Sequence, residues 1–163
     1  MFDLSALNKG AGDVLLCGID EAGRGPLAGP VCAAAVILPD LIPMDISEGV
    51  LNDSKKLSPA AREKARVAIC QGALAWGIGW ASAAEIDEIN ILKASLLAME
   101  RAFQVMVWKE PQESPAIRAI VDGLFIPNIP VPCEPLVKAD SLVPAVMAAS
   151  ILAKTARDRL MKY

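Results

Sequence analysis

The stretch Val14-Leu-Leu-Cys-Gly-Ile-Asp-Glu-Ala-Gly-Arg-Gly25 contains the pattern from which the fold can be inferred. An apolar run that ends in an acid and is followed by glycines is typical of a buried strand at its exit from a sheet. We therefore predict a first strand over residues 14–20. Val31 to Leu38 is a second apolar run, bounded by Pro30 and Pro39, and the short Gly/Pro turn between the two runs predicts an antiparallel hairpin.

The rest of the chain alternates between helical and strand patterns. In residues 74–81 bulky side chains alternate with alanine and glycine, which predicts a strand with one face small enough for close packing. Further strands are predicted at 117–121 and 136–138, a loop at 39–57, and helices at 58–73, 83–107 and 144–161. This order predicts one α/β domain over residues 1–163, with a mixed five-stranded sheet flanked by helices.

Composition excludes several classes of protein. The 163 residues carry a formal net charge of −3 and include no histidine, which excludes histidine-based triads and acid–base catalysis. The four cysteines form no CxxC pair, which indicates buried thiols rather than a zinc site. The apolar runs are shorter than the roughly 20 residues that span a bilayer, and the N-terminus lacks a secretory signal pattern. We therefore expect a cytoplasmic protein with no membrane partner.

Three predicted strands each end in an aspartate, namely Asp20, Asp122 and Asp140. Open α/β sheets place their ligand sites at such strand ends, so with Glu21 we expect four carboxylates in one crevice. Crowded carboxylates repel one another unless cations neutralise them, and oxygen ligands suit Mg²⁺ or Mn²⁺. Two such ions can activate a water and stabilise the leaving oxygen in a phosphoryl displacement, so carboxylates alone can support cleavage of a phosphodiester.

Each of these acids has a simpler interpretation when it is considered alone. Asp122-Gly123 is typical of a turn and Asp140-Ser141 of an approach to a helix, so only their joint occurrence favours a metal site. Asp20 and Glu21 also present a geometric problem, because neighbours on a regular strand point to opposite faces. Both reach one site only if the strand ends or bulges there, which the following glycines permit.

A second function is suggested by Gly23-Arg24-Gly25-Pro26-Leu27-Ala28, which matches the G-x-G-x-x-A fingerprint of dinucleotide-binding domains. Asp40 and Asp45 lie downstream near the spacing of a ribose-binding acid. That fingerprint must open a helix, whereas the residues that follow here predict a strand. A dinucleotide-binding domain is therefore the less favoured alternative.

Polar residues at two other places are candidate phosphate contacts. Lys55 and Lys56 follow Asn52 just before a helix start, where they are suited to gripping a phosphate backbone, although a solvated loop is equally consistent. Ser150 and Lys154 lie one turn apart on the last predicted helix and can face the site. Because Ser150 is surrounded by alanines, it is equally consistent with a small packing residue.

Several segments resemble the bacterial ribonuclease HII family, in the same order and across nearly the whole chain. They are Gly18-Ile-Asp-Glu-Ala-Gly-Arg-Gly-Pro-Leu-Ala-Gly29, Leu51-Asn-Asp-Ser-Lys-Lys-Leu-Ser58, Glu85-Ile-Asp-Glu-Ile-Asn-Ile91, Val121-Asp-Gly123, Lys138-Ala-Asp-Ser141 and Ala148-Ala-Ser-Ile-Leu-Ala-Lys154. The resemblance implies a monomeric enzyme with a ribonuclease H-like fold. It implies hydrolysis of the RNA strand of RNA–DNA hybrids and cutting at ribonucleotides embedded in duplex DNA, which leaves 5′-phosphate and 3′-hydroxyl ends.

The resemblance also assigns roles to individual residues. It assigns metal binding and catalysis to Asp20, Glu21, Asp122 and Asp140. It assigns Gly23-Arg24-Gly25 to contact with the ribose 2′-hydroxyl at the RNA–DNA junction, the group that distinguishes RNA from DNA, and glycines allow the main chain to approach closely. It places Lys55 and Lys56 in the substrate-binding region.

The sequence differs from the family pattern at its C-terminal end. Family members usually continue beyond Ala153-Lys-Thr-Ala-Arg-Asp158 through a His-Lys-Gly-Tyr run whose tyrosine stacks on the sugar at the junction. Here the sequence ends at Tyr163, which directly follows the last predicted helix and does not correspond to that tyrosine. We therefore expect a C-terminally short chain that retains metal binding but has impaired junction affinity and specificity. A weakly active or inactive nucleic-acid-binding remnant is the alternative.

Overall fold

A computed structural model defines the architecture and describes residues 14–25, 28–49 and 57–162. The candidate phosphate contacts Asn52, Lys55 and Lys56 lie outside the described residues. The strands are β1 Leu15–Ala22, β2 Val31–Ile37, β3 Ala75–Ala81, β4 Val107–Trp108, β5 Ile117–Asp122 and β6 Cys133–Leu136. The helices are α1 Met44–Gly49, α2 Pro59–Gly72, α3 Ala83–Ile89, α4 Ile91–Gln104 and α5 Pro144–Met161, with a 3₁₀ turn at Ala139–Ser141.

The strands form one mixed sheet in the order β4-β3-β2-β1-β5-β6. β2 pairs antiparallel with β1 and with β3, and β3 pairs antiparallel with β4. β1, β5 and β6 run parallel to one another. The predicted hairpin and the predicted α/β class with flanking helices are confirmed, but the sheet has six strands rather than five.

The extra strand and three other features differ from the sequence prediction. β4 has only two residues, too few for a periodic signal, and lies at the end of the helix predicted over 83–107. That helix is divided at Asn90, whose φ of 77° is incompatible with an α-helix and whose side chain caps α4 by accepting a hydrogen bond from Lys93 N at 3.0 Å. α1 occupies part of the predicted loop. β6 begins before residues 136–138 and includes Pro135, which an edge strand tolerates.

Helices cover both faces of the sheet. On one face α4 packs against alternate residues of β2 such as Ala33 and Ala35, and on the other face α5 and α2 pack against Cys32 and Val36. All seven residues of β2 are fully buried. The core is therefore two apolar layers that share β2 at their centre. In the described part of the chain no helix is both long and apolar enough to cross a membrane.

Close approach of main chains holds these layers together. A Cβ added to Gly18 on β1 would lie 2.2 Å from the carbonyl carbon of Ala145 on α5, and one added to Gly79 on β3 would lie 2.3 Å from Ala98 O on α4. Both distances are too short for any side chain. The small face predicted for the third strand is thus the face on which α4 packs.

We expect Gly79→Ala to lower the free energy of unfolding by about 1–3 kcal/mol, because the new methyl group would overlap the main chain of α4, which cannot move aside like a side chain. Urea denaturation followed by circular dichroism measures the change. Gly25→Ala is the matched control, because a Cβ there meets no atom within 4 Å, and it is expected to change stability by less than about 0.5 kcal/mol. An equal loss in both variants would contradict the close-packing account.

Candidate active site

Two aspartates lie side by side on the parallel strands β1 and β5, just beyond their last paired residues. The strands pair in register up to Ile19 with Val121, so the next residues on the two strands are Asp20 and Asp122. Asp20 is only 5% exposed. The same parallel pairing that builds the sheet therefore places two carboxylates next to each other, with one of them almost completely removed from water.

A third aspartate, Asp140, is supplied by the 3₁₀ turn that follows β6. Lys138, directly before the turn, has a φ of 61°, a left-handed conformation that breaks the extended path leading from β6. Ala139 N donates a hydrogen bond to Asp122 Oδ1 at 3.1 Å. This bond fastens the turn to the end of β5 and sets the place from which Asp140 approaches the other two acids.

One carboxylate oxygen from each of Asp20, Asp122 and Asp140 lies within 4.8 Å of the other two. The structure thus brings together three of the four predicted carboxylates. The prediction that each of the three aspartates ends a strand is correct only for Asp122, because β1 continues to Ala22 and Asp140 lies in the turn after β6. Glu21 is not part of that group. β1 pairs with β2 through Ala22 without a bulge, yet the Glu21 carboxylate is close enough to Asp20 and Asp122 to interact with both.

Glu21 nevertheless lies beside the cluster. Its Oε1 is 3.9 Å from Arg24 Nη1, whereas its Oε2 is buried with no hydrogen-bond donor in reach among the described residues. A buried carboxylate oxygen without a donor is costly, so this atom is suited to face a cation.

Burial raises the pKa of Asp20 well above its ordinary value, and the negative charges of Glu21, Asp122 and Asp140 raise that pKa further. The pKa of Glu21 is also raised, chiefly by burial, with the charge of Asp122 adding to the effect. Both shifts mean that the ionised carboxylates destabilise one another in the absence of a cation. A set of donors made only of carboxylate oxygens fits a hard divalent cation such as Mg²⁺ or Mn²⁺.

The Gly23-Arg24-Gly25 turn follows the first two acids directly. Gly23 has a φ of 95°, a conformation that glycine adopts readily and other residues rarely do. The turn separates a cleft of about 580 Å³ against α3 and the start of α4 from one of about 450 Å³ against α5. Arg24 lines both clefts, so the turn carries a cation along the rim of the carboxylate site.

The two candidates on α5 have different environments. Lys154 is exposed and lines the smaller cleft. Ser150 is only 7% exposed, within the buried face of the helix, although it lies one turn away. Of the two, only Lys154 lines the smaller cleft, and a substrate contact by Ser150 stays a prediction.

Sequence reasoning did not single out two arginines of the smaller cleft, Arg62 on α2 and Arg157 on α5. Arg62 forms an ion pair with Asp158 at 3.1 Å and donates to Leu57 O at 3.3 Å. The two arginines are distant in sequence, and only the packing of α2 beside α5 brings them to one cleft. No local pattern signals that arrangement.

The segment that follows the glycine turn is β2, not a helix, so the structural requirement of the dinucleotide fingerprint is not met. What the chain has instead is an antiparallel hairpin continued by parallel strands, helices on both faces and carboxylates at the ends of neighbouring strands. These features define a nuclease of the ribonuclease H-like class, which acts with divalent metal ions.

Comparison with known proteins specifies the family. The sequence model of the ribonuclease HII family matches residues 17–163, and the chain belongs to that family of type 2 ribonucleases H. It is 55% identical over 159 residues to ribonuclease HII of Treponema denticola, covering 90% of this chain and 77% of that protein. It is 49% identical over 146 residues to ribonuclease HII of Moorella thermoacetica, covering 90% of this chain and 66% of that protein.

A solved structure agrees with this assignment. The crystal structure of ribonuclease H2 from Pyrococcus horikoshii OT3 has a TM-score of 0.71 to this chain at 25% identity, covering 91% of this chain and 74% of that one. The resemblance inferred from the sequence, the ribonuclease H-like fold and the expectation of a nuclease are confirmed. The chain spans about two thirds to three quarters of the length of the two curated relatives.

In the presence of a chelator, we expect Asp20→Asn to raise the melting temperature at neutral pH, because the amide removes a buried charge without changing the shape of the side chain. A raised folded-state pKa means that the contribution of Asp20 to stability is fully present below its ordinary value of 3.8 and is lost as pH rises through the raised pKa. The difference in melting temperature between Asp20→Asn and the wild type should therefore increase as pH rises through that range. Each kcal/mol of destabilisation that the variant removes corresponds to about 2–4 °C.

Thermal unfolding at several pH values measures this effect, with Asp40→Asn at an exposed position as the control. Adding Mg²⁺ should stabilise the wild-type protein and the Asp40 variant more than the Asp20 variant. A lower melting temperature for Asp20→Asn at neutral pH in chelator would show that the buried charge does not destabilise the fold.

Proposed function

We propose that this chain hydrolyses the RNA strand of RNA–DNA hybrids and cuts at ribonucleotides embedded in duplex DNA, leaving 5′-phosphate and 3′-hydroxyl ends. The observation that carries the proposal is that carboxylate oxygens of Asp20, Asp122 and Asp140, from two neighbouring strands and the turn after β6, lie within 4.8 Å of one another. Membership of the ribonuclease HII family adds the substrate class. The chain offers no histidine for any other form of acid–base hydrolysis, so its carboxylates are the natural centre of the reaction.

In this proposal Asp20, Glu21, Asp122 and Asp140 are the catalytic and metal-binding residues, and the cofactor is Mg²⁺ or Mn²⁺. When bound, the metal supplies activation of a water and stabilisation of the leaving oxygen. The chain supplies the geometry. The sheet holds Asp20 and Asp122 on neighbouring strands, and the hydrogen bond from Ala139 N restrains the Asp122 carboxylate.

Substrate binding is proposed for the residues around this centre. For the Gly23-Arg24-Gly25 turn we propose contact with the ribose 2′-hydroxyl, because its glycines would let main-chain groups approach the sugar closely. The basic lining of the smaller cleft, Arg24, Arg62 and Lys154, offers local positive charge for backbone phosphates in a chain whose net charge is −3. Further proposed contacts are Asn52, Lys55, Lys56 and Ser150.

We further propose that the chain acts as a monomer in the cytoplasm, where the duplex DNA of the bacterial relatives is found. The carboxylate cluster is assembled from one chain alone, so the site needs no residue from a second copy. Light scattering during size-exclusion chromatography tests the proposal, since a monomer has a mass of 17.2 kDa.

We expect the chain to cut a DNA duplex that contains one ribonucleotide when Mg²⁺ or Mn²⁺ is present, and not to cut an all-DNA duplex. Asp20→Asn and Asp122→Asn should each lower the rate by about 100- to 1,000-fold or more, because each removes a charge from the metal site. Gel analysis of end-labelled substrate, with and without chelator, measures the rate and the position of the cut.

Asp40→Asn is the matched control and should retain wild-type activity. If the wild-type chain binds the hybrid but cuts nothing, and Asp20→Asn binds the hybrid equally well, the non-catalytic remnant is favoured over the enzyme. Equal cutting of the single-ribonucleotide duplex by this chain and by a longer relative would contradict the expectation of impaired junction specificity.

A further inference from the structure

Arg157 lies at an unusual place on α5. It is only 7% exposed, although arginine is rarely buried and its guanidinium group remains charged. A buried cation must be hydrogen-bonded to be tolerated. Here the acceptors are main-chain carbonyls, since Arg157 Nε donates to Pro30 O at 3.1 Å and Nη2 donates to Ala28 O at 3.3 Å. Both carbonyls belong to the end of the loop that joins β1 to β2.

The start of the same loop contacts the same side chain. A Cβ added to Gly23 would lie 2.1 Å from Arg157 Nε and 2.7 Å from its Cδ, and Gly23 has a φ of 95°. At the other end of the loop, Gly29 has a φ of 109°, and a Cβ there would lie 3.1 Å from Met161 Sδ, one turn further along α5. Gly23 and Gly29 thus allow the main chain at each end of the loop to approach the helix closely.

The position of this loop determines where Arg24 stands. Arg24 follows Gly23, its Nη1 lies 3.9 Å from Glu21 Oε1, and its side chain lines the clefts on both sides of the turn. Because the guanidinium of Arg157 bonds to the far end of the loop and packs under its near end, the loop cannot slide along α5 without losing these contacts.

We propose that Arg157 is a positioning residue for the reaction: it fixes the Gly23-Arg24-Gly25 turn relative to the carboxylates, and through the turn it determines how well a ribonucleotide is placed for cutting. The effect on turnover rests on the proposed function, whereas the effect on the loop does not. Misplacement of a substrate-positioning element by about 1 Å can lower a rate by about 100-fold.

The test compares Arg157→Gln and Arg157→Lys with Arg159→Gln. Arg159 lies on the same helix, is half exposed and pairs with Glu63, so its substitution controls for the loss of an arginine from α5. Hydrogen–deuterium exchange of the peptide that contains residues 23–30 reports the loop directly. Values of kcat and KM on the single-ribonucleotide duplex and on an RNA–DNA hybrid report the reaction.

For Arg157→Gln we expect faster exchange confined to that peptide and a loss of kcat/KM of about 10- to 100-fold that is larger on the single-ribonucleotide duplex, where one 2′-hydroxyl must be found. Arg157→Lys should recover part of both effects, because an ammonium group can still donate to a carbonyl. Gly23→Ala should lower kcat/KM by a smaller factor in the Arg157→Gln background than in the wild type, because its methyl group then has no guanidinium to overlap.

Unchanged exchange in both Arg157 variants overturns the proposal. So does faster exchange with kcat/KM within about twofold of Arg159→Gln, or an equal loss on both substrates. If Arg157→Gln fails to fold, Arg157→Lys decides the outcome, with Gly23→Ala compared in the wild-type and Arg157→Lys backgrounds. A wild-type chain that cuts neither substrate would refute the proposed function, while the exchange data would still decide whether Arg157 holds the loop.

Discussion

The crowding of carboxylates around the buried Asp20 is the constraint that the rest of the structure has to accommodate. Asp20 and Asp122 stand side by side because β1 and β5 pair in parallel, and Asp140 is held against them by the turn after β6. Desolvation and neighbouring charge both raise the pKa of Asp20, so this arrangement opposes folding when no cation is bound. The packing of the sheet against its helices supplies the free energy that keeps the carboxylates together.

That packing relies on small residues. Only 4% of the chain is aromatic although 54% is hydrophobic, and alanine and glycine dominate the contacts of β1, β2 and β3 with α4 and α5. At Gly18 and Gly79 the main chains of strand and helix approach so closely that no side chain fits between them. Such contacts leave little room for adjustment, because a strand end can move only if a whole helix moves with it. A rigid frame of this kind suits a site whose charges would otherwise separate.

The substrate-facing side of the site is built differently from the metal-facing side. Parallel strands hold Asp20 and Asp122, and the turn after β6 holds Asp140. The Gly23-Arg24-Gly25 turn instead belongs to a loop whose two ends contact Arg157 of α5. The charge distribution follows the same division. Acids gather at the sheet, and arginines and a lysine from α2, α5 and the turn surround them. One helix thus supports both halves of the site, packing on β1 at its start and on the loop near its end.

The sequence by itself determined the local structure and the chemistry. Apolar runs that end in acids predicted β1 and β5, the helix predicted from residue 83 begins there as α3 behind a Ser82–Glu85 capping box, and the lack of histidine excluded histidine-based catalysis. These inferences succeed because periodicity and capping depend on neighbouring residues. Only the tertiary structure decided that the turn after β6 brings Asp140 to Asp20 and Asp122, and that Arg157 rests against a glycine 134 positions before it, at residue 23. Such features depend on how distant elements pack, and no local pattern records that packing.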